Sequence, residues 1–249
     1  MRTTKKVIVL PAYNAEKTLE KTINLIPQRE EYEIILVDDF SKDNTFELAK
    51  KLGIEAYQLP KNSGYGATQK LCYKKALEKN ADIVLMLHPD YQYDPRVVPL
   101  MCKLIEYRIC DVVLGNRIRT RKEALDGGMP LYKYISNRFL TIINNIVTGQ
   151  NLGEWHSGLR AYSSKVLKTI NWQENSDDFA FDIQFLFQCV NAGFKIGDIP
   201  VPVRYFEEAS SVNFKSGLKY GFFNLYTALL YILNKVGLKN KLFKTKSAL

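Results

Sequence analysis

Four cysteines in 249 residues, Cys72, Cys102, Cys110 and Cys189, form no CxxC pair and no zinc-ligand spacing. That pattern excludes a zinc module and suits core thiols in a reducing cytosol. No acidic residue occurs between Ala209 and Leu249, a stretch with seven lysines (Lys215, Lys219, Lys235, Lys239, Lys241, Lys244, Lys246). This end supplies +7 of the +9 net charge, so the remainder is close to neutral and no nucleic-acid partner is expected. No apolar run reaches the roughly 20 residues that span a bilayer. The N-terminus, Met1-Arg2-Thr3-Thr4-Lys5-Lys6, runs directly into a strand-like segment, so no secretory leader is expected. Internal repeats and low-complexity linkers are absent too. The composition, 46% hydrophobic and 24% charged, is ordinary for a globular chain with one large core, or one core and a small appendage.

Short apolar runs alternate with helical patterns. Residues 5–10, 33–37, 54–59, 83–87 and 112–114 read as strands; 15–26, 45–52 and 67–79 read as helices. Asn14 is placed to cap the first helix, and Gly53 sits where a helix C-cap is expected. The rhythm predicts an α/β fold, a largely parallel sheet with right-handed crossovers. Beyond Arg117 it changes. Residues 118–129 read as a mobile basic loop, 130–147 as a helix, and 149–160 as a loop carrying Trp155 and His156. Residues 179–191 read as a helix and 197–204 as a Pro-punctuated edge strand. One catalytic domain, 1–212, with an extension, 213–249, fits this order.

Three strand ends carry polar chemistry. The first closes in Pro11-Ala12-Tyr13-Asn14, the second in Val37-Asp38-Asp39-Phe40-Ser41-Lys42-Asp43-Asn44-Thr45, the fourth in His88-Pro89-Asp90-Tyr91-Gln92. Ligands bind at the carboxyl ends of strands in open α/β sheets. Paired carboxylates there can accept from ribose hydroxyls and a base N–H, or they can be a helix-capping cluster. A carboxylate after the fourth strand can hold a cation against a diphosphate. A nucleotidyltransferase would want a Gly-rich, basic loop after the first strand, which Pro11-Ala12-Tyr13-Asn14 does not supply.

With Asn62-Ser63-Gly64-Tyr65-Gly66-Ala67, these motifs resemble, in order and spacing, the large family 2 of inverting, nucleotide-sugar-dependent glycosyltransferases. Leu114-Gly115-Asn116-Arg117, Pro130-Leu131-Tyr132-Lys133 and Ser157-Gly158-Leu159-Arg160 are similar to its dolichol-phosphate mannose synthase branch, over roughly residues 5–212. The resemblance implies a GT-A fold. It implies a UDP- or GDP-sugar donor on Pro11, Tyr13, Asn14, Asp38, Asp39, Gly64, Lys70 and Asp90, with Arg204 and Ser210 touching phosphate. A divalent cation, Mn²⁺ or Mg²⁺, is expected on Asp90, with Gln92 and His88 as further ligands. His88 stands where the family has an Asp, so it is either a nitrogen ligand or a strand-end histidine satisfied by a carbonyl; the change also leaves open an inactive nucleotide-binding scaffold.

For the acceptor, Asp178 and Asp182 are candidate carboxylates for catalysis or for helix-dipole compensation, and Arg117 would join them beside Asp90. A polyprenyl phosphate would instead call for the cations Arg117, Lys133, Arg138 and Arg160, with Ser136 and Ser157. In a lipid-linked glycan the acceptor would be a sugar hydroxyl. Trp155 either stacks on a sugar or fills the core. Residues 217–233, rich in Tyr and Phe and flanked by lysines, read as an interfacial helix on an anionic membrane, at the cytoplasmic face, or as a helix packed on the core or in a homodimer.

Overall fold

The computed structural model describes residues 3–204 and 214–246. Its centre is a seven-stranded sheet of order β3-β2-β1-β4-β6-β5-β7. The strands are β1 (Lys6–Ala12), β2 (Tyr32–Asp38), β3 (Glu55–Gln58), β4 (Ile83–Leu87), β5 (Val112–Asn116), β6 (Leu159–Ser163) and β7 (Ile196–Pro200). β1 to β4 pair in parallel, β7 runs parallel to β5, and β6 lies antiparallel between β4 and β5. The result is the mixed, mainly parallel α/β sheet of a GT-A fold.

Alternation along the strands fills two cores. Val7, Val9, Val84 and Met86 enter one, under α3 (Tyr65–Glu78) and α8 (Phe181–Asn191). Ile8, Leu10, Leu85 and Leu87 enter the other, under α1 (Leu19–Asn24) and α4 (Val98–Glu106). Strands buried on both faces read as continuous apolar runs, which is why the sequence exposes them. The strand β6 escaped such a reading because Arg160 interrupts its apolar run.

Several boundaries differ from the sequence reading. α1 begins at Leu19 rather than at 15, because the preceding N–H groups bind elsewhere: Asn14 N to Ser41 Oγ at 2.8 Å and Ala15 N to Thr45 Oγ1 at 2.7 Å. Asn14 is therefore no helix cap; it takes a left-handed conformation, φ 51°, and braces two strand ends. The span 118–129 contains α5 (Arg121–Asp126), capped by Thr120, whose hydroxyl accepts from Glu123 N at 3.1 Å. Gly53 does follow α2 (Thr45–Lys51) with φ 71°, as a C-terminal glycine should. The last strand ends at Pro200, and Val203 keeps only a bridge to Tyr93.

After β5 come α6 (Leu131–Thr148) and, past β6, α7 (Ser164–Thr169). The extension forms α9 (Phe214–Lys235), which packs on α6 and α8. Ala228, Tyr231, Leu242 and Phe243 are buried in the first core, with Tyr231 against Phe187 at 5.4 Å. Among the described residues no helix is long and apolar enough to cross a membrane.

Candidate active site

The carboxyl ends of β2, β1 and β4 are neighbours on one sheet edge. Each passes into its loop through a left-handed residue: Phe40 (φ 60°), Asn14 (φ 51°) and Tyr91 (φ 61°). Such conformations are disfavoured for bulky residues by roughly 1–2 kcal/mol and persist where surrounding bonds over-determine them. Those bonds are present. Lys42 N donates to Asn14 Oδ1 at 2.8 Å, and Thr18 Oγ1 donates to Pro89 O at 2.6 Å. Tyr13, Asp39 and Asp90 thus follow the carboxyl ends of three neighbouring strands, with Pro11 buried and Tyr13 46% exposed.

The two adjacent carboxylates have separate tasks. Asp38 is fully buried and accepts from Ser41 N and from Gln58 Nε2 at 2.8 Å, which fixes the loop. Asp39 accepts from Ser63 N at 2.7 Å and Gly64 N at 3.0 Å, joining β2 to the start of α3. Burial pushes the Asp39 carboxyl above the usual carboxylate range, against the pull of those two N–H groups. Gly64 has φ 98°, and a Cβ there would lie 2.6 Å from Asp177 O, so only glycine fits.

Past β4, His88 and Asp90 face each other, Nδ1 to Oδ2 at 4.0 Å. Asp90 Oδ1 accepts from Gln92 N at 3.0 Å, and Gln92 is buried. His88 Nε2 lies 2.8 Å from Tyr65 Oη, which lies 2.9 Å from Asp182 Oδ2. Asp182 Oδ1 accepts from Gln69 Nε2 at 2.8 Å and pairs with Arg160 Nη1 at 3.0 Å. Burial lowers the pKa of His88, keeping the ring neutral. Among the described residues no three His, Cys, Asp or Glu side chains cluster. A protein donor pair of one imidazole and one carboxylate would leave the remaining positions of a divalent cation to water and phosphate. Tyr65 and Gln69, one helical turn apart on α3, were not singled out in the sequence; their i, i+4 spacing was the available signal.

The acceptor-side candidates disperse. Arg117 is clamped to the buried Glu154, through Nε to Oε1 at 2.8 Å and N to Oε2 at 2.7 Å, and lies 5.6 Å over the Tyr93 ring. Burial alone would raise the Glu154 carboxyl, but the Arg117 charge and hydrogen bonds hold it down. Lys133 is half-buried, its pKa lowered by burial and by the neighbouring Arg117. Ser136 is exposed on α6, and Arg138 donates to Gly153 O at 2.6 Å. Arg160 is buried beside Asp182, and Ser157 Oγ bonds to the backbone of Leu159; neither side chain reaches an acceptor where it stands.

Asp178 pairs with Lys219 of α9 at 2.6 Å, a hydrogen bond that holds its carboxyl below the usual range. Lys70 binds Asp177 Oδ1 at 2.7 Å, so its ammonium ties α3 to the 175–177 loop. Arg204 lies 4.8 Å over Tyr91 and 3.5 Å from Asp94 Oδ2. Trp155 is a core residue, fully buried, donating to Asn145 Oδ1 at 2.7 Å. Ser210 lies outside the described residues.

The chain belongs to glycosyl transferase family 2, whose model matches residues 7–170. It is 30% identical over 204 residues to the uncharacterized protein MJ1222 of Methanocaldococcus jannaschii, covering 82% of this chain and 83% of that one. It is 28% identical over 246 residues to a UDP-N-acetylglucosamine–dolichyl-phosphate N-acetylglucosaminyltransferase of Methanococcus voltae, covering 92% and 96%. Among solved structures it resembles glucosyl-3-phosphoglycerate synthase from Mycobacterium tuberculosis in complex with Mn²⁺, UDP and phosphoglyceric acid. The TM-score there is 0.68 at 17% identity, over 96% of this chain and 80% of that one, a likeness of fold. The protein is thus an inverting glycosyltransferase of the GT-A class.

Proposed function

We propose that this enzyme moves a sugar from a nucleoside-diphosphate donor onto a polyprenyl phosphate at the cytoplasmic face of a membrane. The carrying observation is the adjacency of the β1, β2 and β4 carboxyl ends, which carry Tyr13, Asp39 and the facing pair His88 and Asp90. Tyr13 stacks on the base, and Asp39, its oxygens aimed by Ser63 and Gly64, accepts from the base N–H. Asp90 and His88, with Gln92, hold a divalent cation. When bound, that cation offsets charge developing on the departing diphosphate. Arg204, which lies over Tyr91 and beside Asp94 and whose Nη1 has no partner among the described residues, is the cation for the donor phosphates.

Support for a phosphate acceptor comes from both sides of the choice. A hydroxyl acceptor needs a carboxylate base, yet both oxygens of Asp182 already accept from protein donors and Asp178 is paired with Lys219. A phosphate monoester, with a second pKa of about 6, arrives already anionic. Lys133 and Arg117, two cations close enough for one to depress the other, suit it.

Support for a membrane comes from two neighbouring helices. α6 exposes Ile135, Phe139, Ile142 and Ile146, and α9 exposes Phe222, Leu225, Leu229 and Ile232, each spaced three and four residues apart. Lysines border α9, as an anionic surface would favour. Four free cysteines suit the reducing side. The relative from Methanococcus voltae is named for a dolichyl-phosphate acceptor.

Incubating the protein with labelled UDP- and GDP-sugars, Mn²⁺ and a short polyprenyl phosphate should give a glycosyl phospholipid. Lys133→Ala should lower kcat/KM for the lipid by at least about tenfold, the order of one charged hydrogen bond, with donor binding unchanged. Product only on hydroxyl acceptors would refute the reading.

A further inference from the structure

We propose that Asp182 and Tyr65 are positioning residues for His88, holding its ring in the tautomer that turns an Nδ1 lone pair toward Asp90. The cation is then held by one imidazole nitrogen beside the Asp90 carboxylate and Gln92. This rests on the nucleotide-sugar reading above and deepens it. The reasoning follows the protons. Asp182 accepts from Gln69 Nε2 at 2.8 Å and pairs with Arg160 Nη1 at 3.0 Å, an arrangement for an ionised carboxylate with no proton to give. The Tyr65 phenol therefore donates to Asp182 Oδ2 at 2.9 Å. Having used its only hydrogen, the phenol oxygen can only accept from His88 Nε2 at 2.8 Å. A neutral ring with hydrogen on Nε2 carries its lone pair on Nδ1.

That nitrogen lies 4.0 Å from Asp90 Oδ2, inside the roughly 4.2 Å that two metal–ligand bonds of about 2.1 Å can span. The ring has little freedom to turn away. A Cβ on Gly158 would sit 3.2 Å from His88 Cε1, so glycine there admits the ring against the backbone. Tyr65 meets it edge-on at 5.3 Å. Orientation of a ligating imidazole through its other nitrogen is the ordinary way a protein tunes such a ligand. The mixed donor set favours Mn²⁺ over Mg²⁺, which prefers oxygen.

The test uses the full chain with UDP or GDP and Mn²⁺. Pulsed EPR of the bound ion should give ¹⁴N coupling from one imidazole. His88→Ala should remove it; since the chain has two histidines, this separates His88 from His156. Tyr65→Phe should weaken Mn²⁺ binding about 10- to 100-fold, as loss of an outer partner does, with melting temperature recorded as a check on folding. His88→Asp, which keeps Tyr65 and Asp182 and supplies a second carboxylate, should lower the Mn²⁺-over-Mg²⁺ affinity ratio by about tenfold. Mn²⁺ bound with nucleotide but without nitrogen coupling would overturn the proposal. So would unchanged Mn²⁺ affinity in Tyr65→Phe, or an unchanged metal preference in His88→Asp. If the wild-type chain binds neither nucleotide with Mn²⁺, the nucleotide-sugar reading falls and this inference falls with it.

Discussion

At the scale of single residues, the proposed site depends on side chains that serve backbone and ligand together. Asp39 satisfies two N–H groups at the strand end where the proposed base site lies. Asp39→Ala should lower stability by about 2 kcal/mol by orphaning part of that pair, and should abolish the thermal shift given by UDP or GDP; urea unfolding and a melting assay check each. Arg117 teaches caution about acceptor mutagenesis. Removing its side chain leaves the buried Glu154 without its counter-charge, with only Asn137 and a backbone N–H donating to it, a change of about 3 kcal/mol in stability, so Lys133 is the cleaner probe. What was legible here were short motifs: Asp39, His88 and Asp90 sit at strand ends, where local sequence announces them. What was not legible was partnership. Tyr65 meets a carboxylate 117 residues further on, and no local pattern encodes that encounter. Arg160 was misread for the related reason that a charged residue within a strand looks like surface until its counter-ion is known.

At the scale of elements, α9 is held by contacts that respond to acid. His156 Nδ1 bonds the Tyr220 hydroxyl at 2.7 Å, and burial drives the imidazole pKa down to about 3. Unfolded, the ring titrates near 6.5, so between pH 6.5 and 3 the unfolded chain binds the extra proton. Stability therefore falls on acidification through that window, by about 2 kcal/mol between pH 6.5 and 5 for this one group. His156→Asn should remove that share of the slope in urea unfolding at the two pH values. The Asp178–Lys219 pair acts lower, its contribution present above the ordinary aspartate range and lost as pH falls below it. Both partners are well exposed, so its worth is under about 1 kcal/mol. Element types were largely readable from periodicity, yet boundaries moved wherever a side chain from another element took a helix-start N–H, as Thr45 does for Ala15.

At the scale of the whole molecule, the neighbouring helices α6 and α9 each expose an apolar stripe. Ile135→Glu with Leu229→Glu should reduce recovery on anionic vesicles by at least about tenfold, through lost apolar burial and repulsion together, while UDP- or GDP-induced thermal shifts stay unchanged. Equal recovery, or a variant that differs only in becoming monomeric, would identify the stripes as a contact between copies. The overall α/β class was fixed by alternating runs; the α6 stripe was not singled out, because an apolar helix face looks the same in sequence whether it meets a core or a lipid.

The docked tail has an engineering consequence. Ala228, Tyr231, Leu242 and Phe243 help close the interior beneath the sheet, so this extension is not a detachable cassette. Grafting another relative's tail would require transplanting the facing surface of α8 as well, and simple truncation would uncover a wound in the hydrophobic interior before it ever tested attachment.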